Sequence, residues 1–433
     1  MSLPETHKVV RLYPPSHDIR VEIVPTPKIE HADDAIVRII IAGLCGSDLH
    51  AYRGHDKFAN SFVCGHEFAG EVVALGESYS ETAAALGRPP LYATLKVGDK
   101  VVAPFTSSCS ECHFCRMGFT GRCEKCLLFG SQRLSGGQAQ YVRVPLAGGT
   151  LFKIPPDNVK TEEDITQWKH ISNASLVLMA DILPTGLFAA TQLLQHPNIL
   201  PALKSKPFPV SLYEGNQKAA VGANIIPLTD VDKQLTLAVI GLGPVGLCAI
   251  VSLLEQLESN KSQSTRIVAI DLLESRRTKA AEIVKKIGGV PGNGLFKTAT
   301  IDEGKKIVAE WTGGLGVNAA IEIVGHNDAL ELAFELIRPF GVITSVGVHQ
   351  NHQVPLIGKG LYDKNVSLVF GRCPVRTMFP FALELLLKRQ DIFGDVGQET
   401  SLIDRVVSID EAAESYVMFD KGLCGKVLFD PWK

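Results

Sequence analysis

The chain has 433 residues, of which 45% are hydrophobic and 21% charged, with a formal net charge of −3 and 39 glycines. At about 150 residues per domain, that length implies two or three turn-rich domains rather than one core. A near-neutral balance without Lys/Arg blocks argues against nucleic-acid binding, and neither an apolar segment in MSLPETHKVVRLYPP nor a run approaching about 18 apolar residues points to secretion or a membrane, so a cytoplasmic protein with small-molecule partners is expected.

The first part reads as β-rich. AIVRIIIAG (35–43), FAGEVVALG (68–76), DKVVAPF (99–105) and AQYVRVP (139–145) are short apolar runs punctuated by Gly, Pro and Asp, as in an antiparallel, barrel-like unit. From about residue 185, apolar strands alternate with helical patterns: LTLAVIGLGPVGLCAIVSLLEQL (235–257), RIVAIDLLESRRTKAAEIVKKIG (266–288), GVNAAIEIVG (316–325) and DALELAFELIRPFGVITSVGV (328–348). That succession predicts a parallel sheet covered on both faces. The tail, from MFPFALELLLKRQDIF to KVLFD, reads as one helix and short strands. Residues 79–96, 196–234 and 258–265 are irregular, and the second is long enough to be an insertion that covers a surface or reaches a partner.

Five of the ten cysteines fall within TSSCSECHFCRMGFTGRCEKC (106–126). Thiols stay reduced in the cytosol and short-loop bridges gain little, so metal binding is favoured over disulfides. Cys109, Cys112, Cys115 and Cys123 form CxxCxxCx7C, enough thiolates for a closed tetrahedral site with no position for substrate. Cys126 competes with Cys123 for the fourth place.

LTLAVI runs into Gly241, Leu242, Gly243, Pro244, Val245 and Gly246 and then an apolar helix. Glycines at these positions allow a tight turn, close approach of a pyrophosphate and close strand–helix packing, with the helix N-terminus facing the phosphate charge. The next strand ends at Asp271, whose carboxylate suits the adenosine ribose hydroxyls and repels a 2′-phosphate, favouring NAD over NADP. Arg276 and Arg277 stand close by and offer a contrary, phosphate-binding charge.

GLCGSDLH (43–50), CGHE (64–67) and MADILPTG (179–186) bring together a thiolate, Cys45, an imidazole, His66, and a carboxylate, Asp181. This is a ligand mixture that catalytic zinc takes with a fourth position open. With the cysteine lobe and Gly241–Gly246, these motifs follow one another in an order that closely resembles the zinc-dependent medium-chain alcohol dehydrogenases. Asp181 and the wording DILPTG resemble the glutathione-independent formaldehyde dehydrogenase-like branch.

The resemblance implies an α/β protein in which a Rossmann doubly wound parallel sheet (185–373) is inserted in a β-rich, GroES-like barrel catalytic domain (1–184 and 374–433). It implies two zinc ions per chain: a catalytic one on Cys45, His66 and Asp181, and a structural one on the four cysteines. It further implies hydride transfer between an alcohol or aldehyde and NAD, with Ser47 and His50 as the proton relay, Thr185 against the nicotinamide, Glu67 as an active-site residue or exchange ligand, and Val346, Arg276 and Arg372 among the cofactor contacts. A homodimer or homotetramer is expected. Aldehyde dismutation, polyol oxidation, carbon–carbon double-bond reduction and a non-catalytic NAD(H)-binding regulator are the competing readings.

Overall fold

The computed structural model describes residues 3–82, 87–156, 159, 168, 171–211, 228–261, 264–350 and 353–433. The chain divides into two compact units, Met1–Pro184 with Pro374–Lys433, and Thr185–Cys373.

In the first unit, β1 (Thr6–Tyr13), β2 (Asp18–Pro25), β3 (Ala35–Gly43), β4 (Phe62–Val63), β5 (Phe68–Leu75), β6 (Lys100–Ala103), β7 (Tyr141–Val144) and β8 (Phe152–Ile154) follow in order. β1 lies between β2 and β4, both antiparallel. β3 pairs with β5 and β7, β5 with β6, and β6 with β8, all antiparallel. The core under this sheet is aliphatic and aromatic, with Val37, Ile39, Phe68, Val101 and Phe129 buried.

The second unit is a six-stranded parallel sheet of β9 (Leu235–Ile240), β10 (Thr265–Ile270), β11 (Leu295–Ala299), β12 (Val317–Glu322), β13 (Ile337–Ser345) and β14 (Ser367–Phe370), in the order β11-β10-β9-β12-β13-β14. Every residue of β9 and β12 is buried, as expected of central strands with helices on both faces. Strand order reverses between β9 and β12, a topological switch point, where the crevice at the carboxyl ends of strands receives ligands. The tail returns to the first unit as β15 (Ile403–Ser408) and β16 (Lys426–Asp430), and β16 pairs antiparallel with β3.

Two elements differ from the sequence expectation. ILPTGLFAATQLL forms a helix, Ile182–Leu194, and the tail contains, beyond Val375–Lys388 and the short Gln390–Phe393, a further helix, Ala412–Asp420, whose Ala412, Tyr416 and Phe419 are buried. Its short apolar spacing is masked in sequence by Glu411 and Glu414. Within the irregular segments, helices form at Leu91–Thr94 and Leu200–Lys204, and the helix from Pro244 runs on to Ser259. Residues 83–86, 212–227 and 262–263 of those segments lie outside the described residues. Among the described residues no single helix is long and apolar enough to cross a membrane; one bent pair, Asn173–Ala180 with Ile182–Leu194, passes on length and composition.

Candidate active site

Strand pairing explains how distant residues meet. Ala42 of β3 lies opposite Phe68 of β5, so the chain leaving β3 reaches Cys45 where the chain entering β5 has just passed His66 and Glu67. Gly43 is also opposite Leu428 of β16, which brings Lys426 to the same edge. Phe68 in turn pairs with Ala103 of β6, and the Phe105 N–H beyond that strand donates to Ala180 O at 3.1 Å, placing Asp181 beside them. As a result, ligand atoms of Cys45, His66, Glu67 and Asp181 lie within 4.8 Å of one another.

The spacings suit a tetrahedral cation. Cys45 Sγ is 3.7 Å from Asp181 Oδ2, and His66 Nε2 is 3.4 Å from the same oxygen. Ligands at zinc bond lengths of about 2.0–2.3 Å stand roughly 3.3–3.8 Å apart across a tetrahedron. The charges agree with this fit. Cys45, Glu67 and His66 are buried and Asp181 is 13% exposed at its side chain, so a concentration of anionic donors has little solvent. Burial and the Glu67 carboxylate push the Cys45 thiol up.

His66 is held from both sides. Its Nδ1 lies 3.0 Å from Asp48 Oδ1, and Asp48 Oδ2 accepts the Cys45 N–H at 2.9 Å. Burial alone would push the imidazole down, yet Asp48 and Asp181 carry it well above its ordinary range. A carboxylate on Nδ1 leaves Nε2 for a metal. Ser47 Oγ is 3.1 Å from that Nε2. His50 stands on the short helix Asp48–Tyr52; its Nδ1 is buried without a hydrogen-bond partner among the described residues, and burial lowers its pKa.

Glu67 is fully buried and its Oε2 forms an ion pair with the equally buried Lys426, which also donates to Leu44 O at 3.1 Å. Burial would push the ammonium down, but Glu67, with Cys45 and Asp181 behind it, lifts Lys426 above its usual value. A side chain on Gly43 would put a Cβ 2.1 Å from Glu67 Oε2, so only glycine permits that approach.

In the cysteine lobe, the Sγ atoms of Cys109, Cys112, Cys115 and Cys123 form a second donor group. Cys109 Sγ is 3.6 Å from Cys123 Sγ and 4.0 Å from Cys115 Sγ, bracketing the ~3.8 Å expected of four thiolates about zinc. Backbone N–H groups of Cys109, Glu111, Cys112 and Lys125 point at these sulfurs at 3.2–3.4 Å. At Cys112 burial opposes ionisation, but the N–H groups of Glu124 and Cys115 prevail and bring the thiol to about 6. Cys126 packs at the margin of the lobe, outside the four-sulfur group. Arg376 braces the lobe from the tail: it donates to Ser110 Oγ and Thr150 O, both at 3.2 Å, and lies over the Phe152 ring.

In the second unit, Gly241 has φ +94 and Gly243 caps a helix with Pro244 in its first turn. A Cβ on Gly246 would lie 2.0 Å from Gly241 O, whereas one on Gly243 would meet nothing nearer than Arg276 at 3.9 Å. Gly246 therefore serves packing, and Gly243 leaves space for a ligand. Asp271 ends the strand β10 run; its Oδ2 accepts the Leu242 N–H at 2.8 Å and its Oδ1 the Leu273 N–H at 2.9 Å. Arg276 Nη1 lies 3.6 Å from Asp271 Oδ2, while Arg277 is committed to the backbone carbonyls of Asp271 and Leu272. Val346 follows β13 and donates its N–H to Glu322 O at 3.1 Å. Arg372 stands just past β14, and Thr185 is buried in the helix that opens the unit.

Comparison with known proteins agrees with both units. Residues 31–156 match the alcohol dehydrogenase GroES-like domain and residues 244–388 the zinc-binding dehydrogenase domain. The zinc-type alcohol dehydrogenase B of Aspergillus flavus is 35% identical over 429 residues, covering 99% of this chain and 82% of that protein. The chain belongs to the zinc-dependent medium-chain alcohol dehydrogenase family. A glutathione-independent formaldehyde dehydrogenase of Pseudomonas aeruginosa is 28% identical over 95% of both chains. The solved structure of alcohol dehydrogenase TADH from Thermus sp. ATN1 superposes with a TM-score of 0.70 at 26% identity, covering 98% of this chain and 99% of that one.

Two residues of this dehydrogenase escaped the sequence reading. Asp48 sits in the same CGSDLH stretch as Cys45 and Ser47, and its place three residues after a ligand, at the start of a helix, was a usable signal. Lys426 had none: a lysine in the apolar run KVLFD looks like a strand end until β16 pairs with β3.

Proposed function

We propose that this zinc-dependent oxidoreductase transfers hydride between a small alcohol or aldehyde and NAD, using Cys45, His66 and Asp181 as the catalytic zinc ligands. The observation that carries the reading is the buried thiolate–imidazole–carboxylate set with a serine hydroxyl 3.1 Å from the imidazole nitrogen. When bound, zinc supplies a Lewis acid that polarises the substrate oxygen and lowers its proton affinity. NAD supplies the hydride acceptor.

This chain's residues do the rest. Ser47 Oγ receives the substrate hydroxyl proton, and His50, three residues on in the short helix that Ser47 precedes and with an unsatisfied Nδ1, takes it onward. Asp48 keeps His66 in the tautomer that presents Nε2. Lys426 neutralises Glu67, which stands among the donor atoms, by pairing with its Oε2. Cys109, Cys112, Cys115 and Cys123 hold the structural zinc, and Arg376 ties that lobe to the tail. In the nucleotide unit, Gly241–Gly246 accept the pyrophosphate, Asp271 the adenosine ribose, and Thr185, Val346, Arg276 and Arg372 complete the cofactor contacts. The enzyme works in the cytoplasm as a homodimer or homotetramer.

Zinc counting paired with a panel of primary, secondary and polyol alcohols and simple aldehydes, each with NAD and NADP, tests the reading. Two zinc ions per chain are expected, one for each donor group, with higher turnover on NAD. Asp181→Ala should lose one zinc and turnover while remaining folded. Full activity in purified protein that holds one zinc or none would overturn the mechanism, and a faster NADP reaction would overturn the role given to Asp271.

A further inference from the structure

The carboxyl-terminal edge of the parallel sheet holds a buried carboxylate that stands apart from the zinc ligands and the proton relay. Glu322 ends β12 with no exposure, and Ser345 ends the neighbouring β13 with 1%. Ser345 Oγ donates to Glu322 Oε2 at 2.7 Å, and His349 Nε2 stands 3.0 Å from Ser345 Oγ and 3.1 Å from Glu322 Oε2. The serine has a single proton and spends it on the carboxylate, so His349 Nε2 carries a hydrogen and donates to both oxygens. The other carboxylate oxygen, Oε1, accepts the Gly325 N–H at 2.7 Å. No lysine or arginine pairs with Glu322 among the described residues.

The surroundings fix this group rigidly. A Cβ on Gly347 would come within 2.2 Å of Gly325 N, so the two loops that leave β12 and β13 press directly on one another. Gly371 N–H, beyond β14, donates to Ser345 O at 3.0 Å. The His349 ring packs on Phe370, with centroids 4.7 Å apart. Close by, Val324 and Val348 are exposed apolar side chains at the mouth of the same edge.

Topology says which part of a dinucleotide arrives there. The pyrophosphate turn follows β9, and Asp271, the ribose partner for the adenosine half, ends the β10 run on one side of it. The nicotinamide half must therefore extend the other way, over the ends of β12 and β13. Oxidised nicotinamide carries a positive ring charge, and reduced nicotinamide does not. We infer that Glu322, Ser345 and His349 form a specificity element for the redox state of the cofactor, in which the buried carboxylate beneath the nicotinamide favours the oxidised form, while Ser345 and His349 fix its position. This inference rests on the second unit being the dinucleotide site.

The test is the ratio of the Kd for NADH to the Kd for NAD+, titrated on the zinc-loaded enzyme, with ADP-ribose as a control ligand that lacks the nicotinamide ring. Glu322→Gln keeps the shape and removes the charge; His349→Lys places a permanent positive charge beside it. Both should lower the ratio on the order of fivefold, the scale of one unit charge seen through partly hydrated surroundings, with ADP-ribose affinity unchanged. Glu322→Asp, which retains the charge, should restore the parent ratio. If Glu322→Gln fails to fold by circular dichroism, His349→Lys decides alone. A parent-like ratio in the variants, or a parallel loss of ADP-ribose, overturns the inference while leaving the dinucleotide site intact. If the parent enzyme binds neither nucleotide nor ADP-ribose, the reading of the second unit fails and the inference falls with it.

Discussion

Replacing Asp48 with asparagine tests the support of the catalytic ligands at a residue that does not itself belong to the donor set. Asp48 accepts from two buried donors, His66 Nδ1 at 3.0 Å and the Cys45 N–H at 2.9 Å, and its side chain is 7% exposed. An asparagine of the same shape has one acceptor oxygen, so its NH2 faces a donor at one of the two contacts. Leaving one buried donor unpaired costs about 1–3 kcal/mol. That agrees with the roughly 10–100-fold loss of metal affinity typical of outer carboxylate partners. The assay is zinc retained per chain against a graded chromogenic chelator. The cysteine-lobe zinc serves as an internal standard because the mutated side chain makes no contact with it. The catalytic zinc should leave at about 10–100-fold lower chelator concentration in Asp48→Asn, with the structural zinc released as in the parent and the circular dichroism unchanged. Equal release of the catalytic zinc from variant and parent would refute the role assigned to Asp48.

Lys426→Met should destabilise the protein by about 3–5 kcal/mol in denaturant unfolding, because Glu67 is left charged and buried without its partner; adding Glu67→Gln should recover most of the loss, and no recovery would mean that the lysine matters only for packing. Gly246→Ala places a methyl 2.0 Å from Gly241 O and should weaken NADH binding by at least about tenfold in fluorescence titration, through displacement of the helix whose N-terminus meets the phosphates. His7 supplies a pH dependence: it is buried and its Nδ1 accepts the Tyr141 N–H at 3.2 Å, and burial lowers its pKa to about 4. The unfolded chain therefore binds this proton more readily than the folded one. The His7 contribution should be flat above pH 6.5, fall by up to about 3 kcal/mol as the pH drops towards 4, and level off below. His7→Gln should flatten the unfolding free energy over that window, and an unchanged pH profile would refute the assignment.

Much of this protein was legible in its sequence because local physics wrote it there. AIVRIIIAG coincides with β3 and LTLAVI with β9, since buried strands must be apolar along their length. The glycines after β9 announce a turn that other residues cannot make, and four cysteines in CxxCxxCx7C lie close enough in the chain to meet without long-range help. The short helix Ala412–Asp420 was missed because its buried face shares the segment with Glu411 and Glu414, so one apolar side of a two-turn helix does not stand out.

The catalytic donors lie at the opposite extreme. Cys45, His66 and Asp181 are ordinary residues in three separate stretches, connected in sequence only by resemblance to a family. The pairing of β3 with β5 and of β5 with β6 sets them around one point. The same holds for Lys426 against Glu67, and for the Glu322–Ser345–His349 network at the ends of two adjacent parallel strands. The strands, the phosphate turn and the thiolate lobe are written in the local residue pattern, where the forces act between near neighbours. Which buried charges face one another is settled by the folded chain, because strand register joins residues from about twenty to more than three hundred positions apart and no local pattern records that choice.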